Sequence, residues 1–128
     1  MSTETRPLAE RFMQTLQQFE ADGKVDPLVA LFADDADAAN LTHKEQGRDG
    51  VRKFWEDYRG AFREVRSAFK AVIAGDGGAA LEWESEGALP TGAPIRYRGV
   101  SLLEFAGDKV KRFRTYYDSA AFVAPAVA

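Results

Sequence analysis

The 128-residue chain suits one domain, and its 45% hydrophobic and 29% charged residues exclude disorder and a membrane span. A net charge of -3, with no Lys/Arg-rich patch interleaved with aromatics, excludes a nucleic-acid partner. The absence of cysteine excludes a disulfide framework, a zinc ribbon and a thiol nucleophile, and the opening MSTETRPLAE lacks the apolar core of a secretory signal, so a cytoplasmic location is expected.

Thr5 is placed to cap a first helix, along which Leu8, Phe12, Leu16 and Phe19 form one apolar stripe ending near Gly23. Asp26-Pro27 reads as an N-cap and first helical residue of a short helix through Leu28, Leu31 and Phe32. A brief strand is expected around Asp37 to Leu41, then a polar loop. Val51, Phe54, Trp55, Tyr58 and Phe62 mark one face of a third helix, with Lys53, Glu56, Asp57 and Arg59 on the other. Four strands follow, at 65–74, 79–89, 94–106 and 109–119, separated by turns at GDGG, PTG and GD. Helices followed by an antiparallel meander predict an α+β domain spanning 1–128, the helices covering one sheet face. The alanine-rich tail at 120–128 is expected to be mobile or to dock elsewhere.

In LEWESEG, glutamate occupies every second position from Glu82 to Glu86. Pairing across the PTG turn is read as placing Glu82, Glu84 and Glu86 on one face with Ser101, Gly99 and Tyr97. Leu81, Trp83, Arg98, Val100 and Leu102 then lie on the other. A plain two-residue Gly107-Asp108 loop would set Arg112 and Arg114 beside the glutamates. One extra residue or a bulge would set Phe113, Thr115 and Tyr117 there instead. The second register is preferred, because it gathers these residues with Tyr97 into a surface that helices can roof over.

The order of elements, LVALFADDADAANL, the helix-opening GRDGV and the closing GDKVKRFRTYYDSAAF resemble the nuclear transport factor 2-like superfamily, particularly its SnoaL-like branch. The resemblance covers nearly the whole chain. It implies a cone-shaped barrel, a curved, mainly antiparallel sheet with three N-terminal helices enclosing a ligand cavity, commonly dimeric through the outer sheet face. Its cavity face would carry Glu82, Glu84, Tyr97, Thr115 and Tyr117. EWESEGALPTG and RTYYD are locally similar to limonene epoxide hydrolases, but the arginine and two aspartates of those enzymes fall at Glu82, Glu84 and Thr115. Their water-holding tyrosine and asparagine fall at Ala38 and Asn40, so only the asparagine is kept. The general-base aspartate of ketosteroid isomerases falls at Asn40, their tyrosine near Leu16 and their protonated acid near Ser101.

Two carboxylates about 7 Å apart on one strand face are spaced to share a water or flank a reacting bond. Glu82 and Glu84, with Asn40 orienting water or a carbonyl, are therefore the candidate catalytic residues of a cofactor-independent hydrolase, isomerase or cyclase acting on a small molecule. Trp55, Tyr58, Glu86, Tyr97, Phe113, Thr115 and Tyr117 are the candidate ligand-binding residues. The alternative is a non-catalytic ligand-binding or dimeric interaction domain, in which the glutamates face solvent or pair with arginines. His43, in a polar loop, is read as a surface residue, and Asp118 as a cap. Asp34, Asp35 and Asp37 are read as a polar helix exit rather than a metal site. Trp83, Arg98, Val100 and Tyr116 supply the aromatic and arginine content of an interface, predicting a homodimer through the outer face.

Overall fold

A computed structural model describes residues 2–123. The first helix, α1 (Ser2–Asp22), buries Ala9, Phe12, Leu16 and Phe19 along the expected stripe. It stops where Gly23 turns to φ 73°, and the Gly23 amide donates to the Phe19 carbonyl at 2.7 Å. Thr5 does not cap it: the helix begins at Ser2, and Thr5 lies buried inside it. The short α2 (Asp26–Val29) has its proline in the first turn, but Val25 precedes it without a side-chain cap. Asp26 instead pairs with Arg52.

Strand β1 (Phe32–Ala39) begins earlier than expected. Phe32 opens the strand opposite Val110 rather than closing a helix. The three aspartates assigned to a helix exit thus belong to a strand. The polar loop holds a three-residue edge strand, β2 (Lys44–Gln46), too short to leave a periodic signature. Helix α3 (Gly47–Gly60) buries Val51, Phe54 and Trp55 as the pattern predicts, and starts four residues before Val51. The meander comprises β3 (Glu64–Gly75), β4 (Gly78–Ala88), β5 (Pro94–Ala106) and β6 (Lys109–Tyr117), close to the expected spans.

The six strands form a curved, unclosed mixed sheet in the order β2-β1-β6-β5-β4-β3, with β1 and β6 parallel and the other neighbours antiparallel. Helix α1 packs on β3, and α3 on β1. Phe12, Trp55, Leu81, Leu103 and Phe113 belong to the core between these helices and the sheet. A single-turn 3-10 helix, Ser119–Phe122, follows β6, its start capped by Asp118, whose side chain accepts from the Ala120 amide at 3.1 Å. The tail expected at 120–128 thus begins as ordered structure, while 124–128 lie outside the described residues.

Two registers decide which side chains face the helices. In the β4–β5 hairpin, Ala88 closes on Pro94 around a five-residue loop, pairing Glu82 with Val100, Glu84 with Arg98 and Glu86 with Arg96. The inward partners are Leu81 with Ser101, Trp83 with Gly99, and Ser85 with Tyr97. This differs by one residue from the expected pairing, and a one-residue slip turns every side chain to the other face. In the β5–β6 hairpin a bulge lies between Glu104 and Phe105, and beyond it Leu103 faces Phe113, Ser101 faces Thr115 and Gly99 faces Tyr117. The preferred, bulged register is the observed one, and Arg112 and Arg114 lie on the outside near Glu104.

Candidate functional site

Between the helices and the inner sheet face lies a cavity of about 180 Å³. Helix α3 contributes Phe54, Trp55 and Tyr58, and Phe62 follows just beyond it. Ser67 and Phe69 come from β3, Trp83 and Ser85 from β4, Tyr97 and Ser101 from β5. Phe113, Thr115 and Tyr117 line the wall from β6, and Phe122 of the 3-10 helix lines it against Phe62, Tyr97 and Tyr117. Ten aromatic side chains line the space, and no lysine or arginine is among the described residues lining it.

Those rings are locked to each other. Phe62 and Tyr97 stack with centroids 6.1 Å apart and planes 11° from parallel, while Phe122 meets Tyr97 edge-on at 4.7 Å. Trp83 meets Tyr97 at 5.3 Å, nearly perpendicular. Its cross-strand partner has to be glycine: a Cβ at Gly99 would fall 2.3 Å from the Tyr116 carbonyl oxygen and 2.7 Å from the indole of Trp83.

Two hydrogen-bonded groups supply the polarity. Trp83 Nε1 donates to Ser101 Oγ at 2.9 Å, and Ser101 and Thr115 share a hydrogen bond of 2.9 Å. The second group centres on Glu20, 3% exposed on α1. Tyr58 Oη donates to its Oε2 at 2.5 Å, Ser67 Oγ to the same oxygen at 2.6 Å, and the Ser67 amide to Oε1 at 2.9 Å. Ser85 Oγ lies 2.6 Å from Ser67 Oγ. Burial pushes the Glu20 carboxyl upward, against the lowering effect of these hydrogen bonds and of Arg59. Burial likewise pushes the Tyr58 and Tyr97 phenols up, reinforced in both by the Glu20 charge.

Of the expected ligand-binding residues, Trp55, Tyr58, Tyr97, Phe113, Thr115 and Tyr117 all line the cavity. Asn40 lines it too, but its side-chain oxygen accepts from the Thr42 amide at 3.0 Å, which fixes a turn. His43 sits beside it, 2.7 Å from Glu45, rather than purely on the surface. Trp55 Nε1 is buried with no hydrogen-bond partner among the described residues.

The glutamates are the main correction. Glu82, Glu84 and Glu86 are directed to the outer face by the β4–β5 register, and none lines the cavity. Glu82 is exposed, and Glu84 lies 3.6 Å from Arg96. Glu86 pairs with Arg66 at 3.0 Å and Arg96 at 3.3 Å, and hydrogen bonding by Arg66 holds its carboxyl below the usual range. The carboxylate pair envisaged at the reacting bond is therefore absent from the cavity. Trp83, expected outside, is an inner-wall residue, 8% exposed.

Sequence reasoning missed Glu20, Ser67, Ser85 and Trp83. Glu20 carried a signal: it stands one helical turn after Leu16, on the buried stripe, where an unpaired charge is costly. Leu81 and Trp83 carried another, since alternation on a half-buried antiparallel sheet sends apolar residues inward and charges out. No group of three or more metal-binding side chains gathers among the described residues, and no helix among them is long and apolar enough to cross a membrane.

The sequence profile of the SnoaL-like domain matches residues 9–113. No curated protein matches the sequence. Among solved structures, an NTF2-like protein from Anabaena variabilis superposes with a TM-score of 0.86 at 18% identity, covering 94% of each chain. A protein from Catenulispora acidiphila with a ketosteroid isomerase-like fold, in complex with trimethylamine, has a TM-score of 0.77 at 14% identity, covering 86% of this chain and 87% of that one. TerC co-crystallised with polyporic acid has a TM-score of 0.78 at 15% identity, covering 91% and 95%. At these identities the likeness is one of fold.

Proposed function

The chain belongs to the SnoaL-like domain family, and on that premise we propose that it binds a compact organic molecule, about one ring in size, in the aromatic cavity. The observation that carries this reading is a cavity of about 180 Å³ walled, among the described residues, by ten aromatic side chains and a few hydroxyls. An apolar cavity of roughly 150 Å³ is large enough for benzene. Small organic ligands accompany two of the structural relatives, trimethylamine in one and polyporic acid in the other. With Glu82 and Glu84 outside, a ligand-binding role is favoured over acid–base turnover by that pair.

The test is binding of single-ring compounds, read as a rise in melting temperature and as perturbed aromatic NMR signals. Thr115→Phe, which fills the cavity from β6, is expected to abolish the response, whereas Glu82→Gln and Glu84→Gln leave it unchanged. A response that survives Thr115→Phe, or disappears with the glutamates, would place the ligand elsewhere.

A homodimer through the outer sheet face is retained as a proposal, without Trp83. Val100 and Tyr116, 37% and 49% exposed, pair across β5 and β6 beside Arg98. Sedimentation should give twice the chain mass, falling to one with Tyr116→Asp; a wild-type monomer at micromolar concentration would rule the dimer out.

A further inference from the structure

The polar part of the cavity wall is rooted in one carboxylate. Glu20 receives the hydroxyl protons of Tyr58 and Ser67 as well as the Ser67 amide. A hydroxyl has a single proton to give, so once Tyr58 and Ser67 have donated to Glu20 their oxygens have only lone pairs left to offer. Ser85, 2.6 Å from Ser67 Oγ, must then donate to it, and the same polarity passes outward. An anion at the root of a hydroxyl chain turns the oxygens at its far end into acceptors.

The rest of the wall has the same preference. Aromatic faces carry negative quadrupole charge, and ten such side chains surround the space. Among the described residues lining it, Asp57 is the one acidic residue and no lysine or arginine opposes it. Arg59 donates its Nε to the Glu20 carbonyl oxygen at 3.0 Å and is not a lining residue.

We infer that Glu20 sets the specificity of the cavity, and that the ligand it selects is a compact protonated amine whose N–H groups donate to Tyr58 and Ser85. The inference rests on the small-molecule reading above and deepens it. Glu20 is a positioning residue, acting through Tyr58 and Ser67 without touching the ligand.

Benzylamine, toluene and benzoate share one ring and differ in charge, which makes them suitable probes. Their affinities are measured by calorimetry in mildly alkaline buffer, which favours the Glu20 carboxylate and leaves benzylamine protonated. The full chain is compared with Glu20→Gln and Tyr58→Phe. Glutamine keeps the size and carbonyl oxygen of Glu20, but its amide N–H donates back to a hydroxyl and reverses part of the chain. Wild type should bind benzylammonium about tenfold or more tighter than toluene and should reject benzoate. Both variants should lose that preference while toluene affinity stays the same, a change of ratio that mere loosening of the fold would not produce. Benzylammonium held equally by wild type and Glu20→Gln overturns the inference, as does tighter binding of benzoate. Toluene bound as tightly as benzylammonium by the wild type also overturns it, yet leaves the small-molecule reading intact. Binding of none of the three by folded protein overturns both.

Discussion

Replacing Trp55 with alanine is expected to lower folding stability by about 3–5 kcal/mol, seen as an earlier urea midpoint with an unchanged slope. Trp55 is 2% exposed. Its ring lies 4.9 Å from Phe113, 5.2 Å from Phe54, 6.1 Å from Phe12 and 6.2 Å from Phe32, centroid to centroid. One indole thus joins α1, α3, β1 and β6. Strand ladders hold β1 and β6 at fixed spacing, so the vacated volume cannot close by collapse, and it would merge with the existing cavity. Nε1 of Trp55 has no partner among the described residues, so no hydrogen bond is lost with the ring. Trp55→Phe should therefore recover most of the stability. A loss below about 1 kcal/mol for the alanine variant would mean that the aromatic junction is not what holds helices to sheet.

The second large effect concerns Glu20. Glu20→Ala strips the acceptor from three donors at once, Tyr58 Oη, Ser67 Oγ and the Ser67 amide, and should cost about 2–4 kcal/mol. Glu20→Gln should behave differently, with a difference that depends on pH. Burial raises the carboxyl in the folded chain above its unfolded value. The stability linked to its protonation is fully present below the unfolded value and is lost as pH rises through the folded one. Wild type should therefore lose ground against Glu20→Gln as pH rises from the ordinary carboxylate range through the raised folded value, and the gap should level off above it. The groups facing Glu20 are Tyr58 and Arg59 from α3, Ser67 from β3 and Tyr97 from β5. Both phenols are pushed upward, away from the acid window, so the titration belongs to Glu20. A difference in melting temperature that stays flat with pH would contradict the assignment.

The helical stripes were legible in the sequence because periodicity reports burial directly: Phe12, Leu16 and Phe19, then Val51, Phe54 and Trp55, are buried as spaced. The bulged last hairpin was legible too, since only that register brings Phe113 and Thr115 under the helices. The orientation of β4 was misread, although its alternation contained the answer. Leu81 and Trp83 on one side and three glutamates on the other is the ordinary pattern of a half-buried strand. Symmetric pairing about the PTG turn, one residue out of step with the observed ladder, turned the expectation the other way. Loop length was the missing quantity: whether a hairpin closes at Ala88 and Pro94 or one residue away depends on turn geometry that Leu89 to Ala93 do not announce. Glu20, Ser67 and Ser85 lie on three elements well separated in sequence, and no local pattern announces that they meet.

The parallel pairing of β1 with β6 has a consequence for how the chain acquires its shape. Because β6 sits between β1 and β5, a nascent polypeptide lacking Lys109–Tyr117 holds two unconnected ladders, β2–β1 and β5–β4–β3. Until β6 leaves the ribosome, each ladder has an open edge, and Phe12, Phe54 and Trp55 of the two helices lack the Phe113 ring they pack against. Native assembly is thus deferred until β6 has emerged, and the newborn chain is most vulnerable to aggregation just before it.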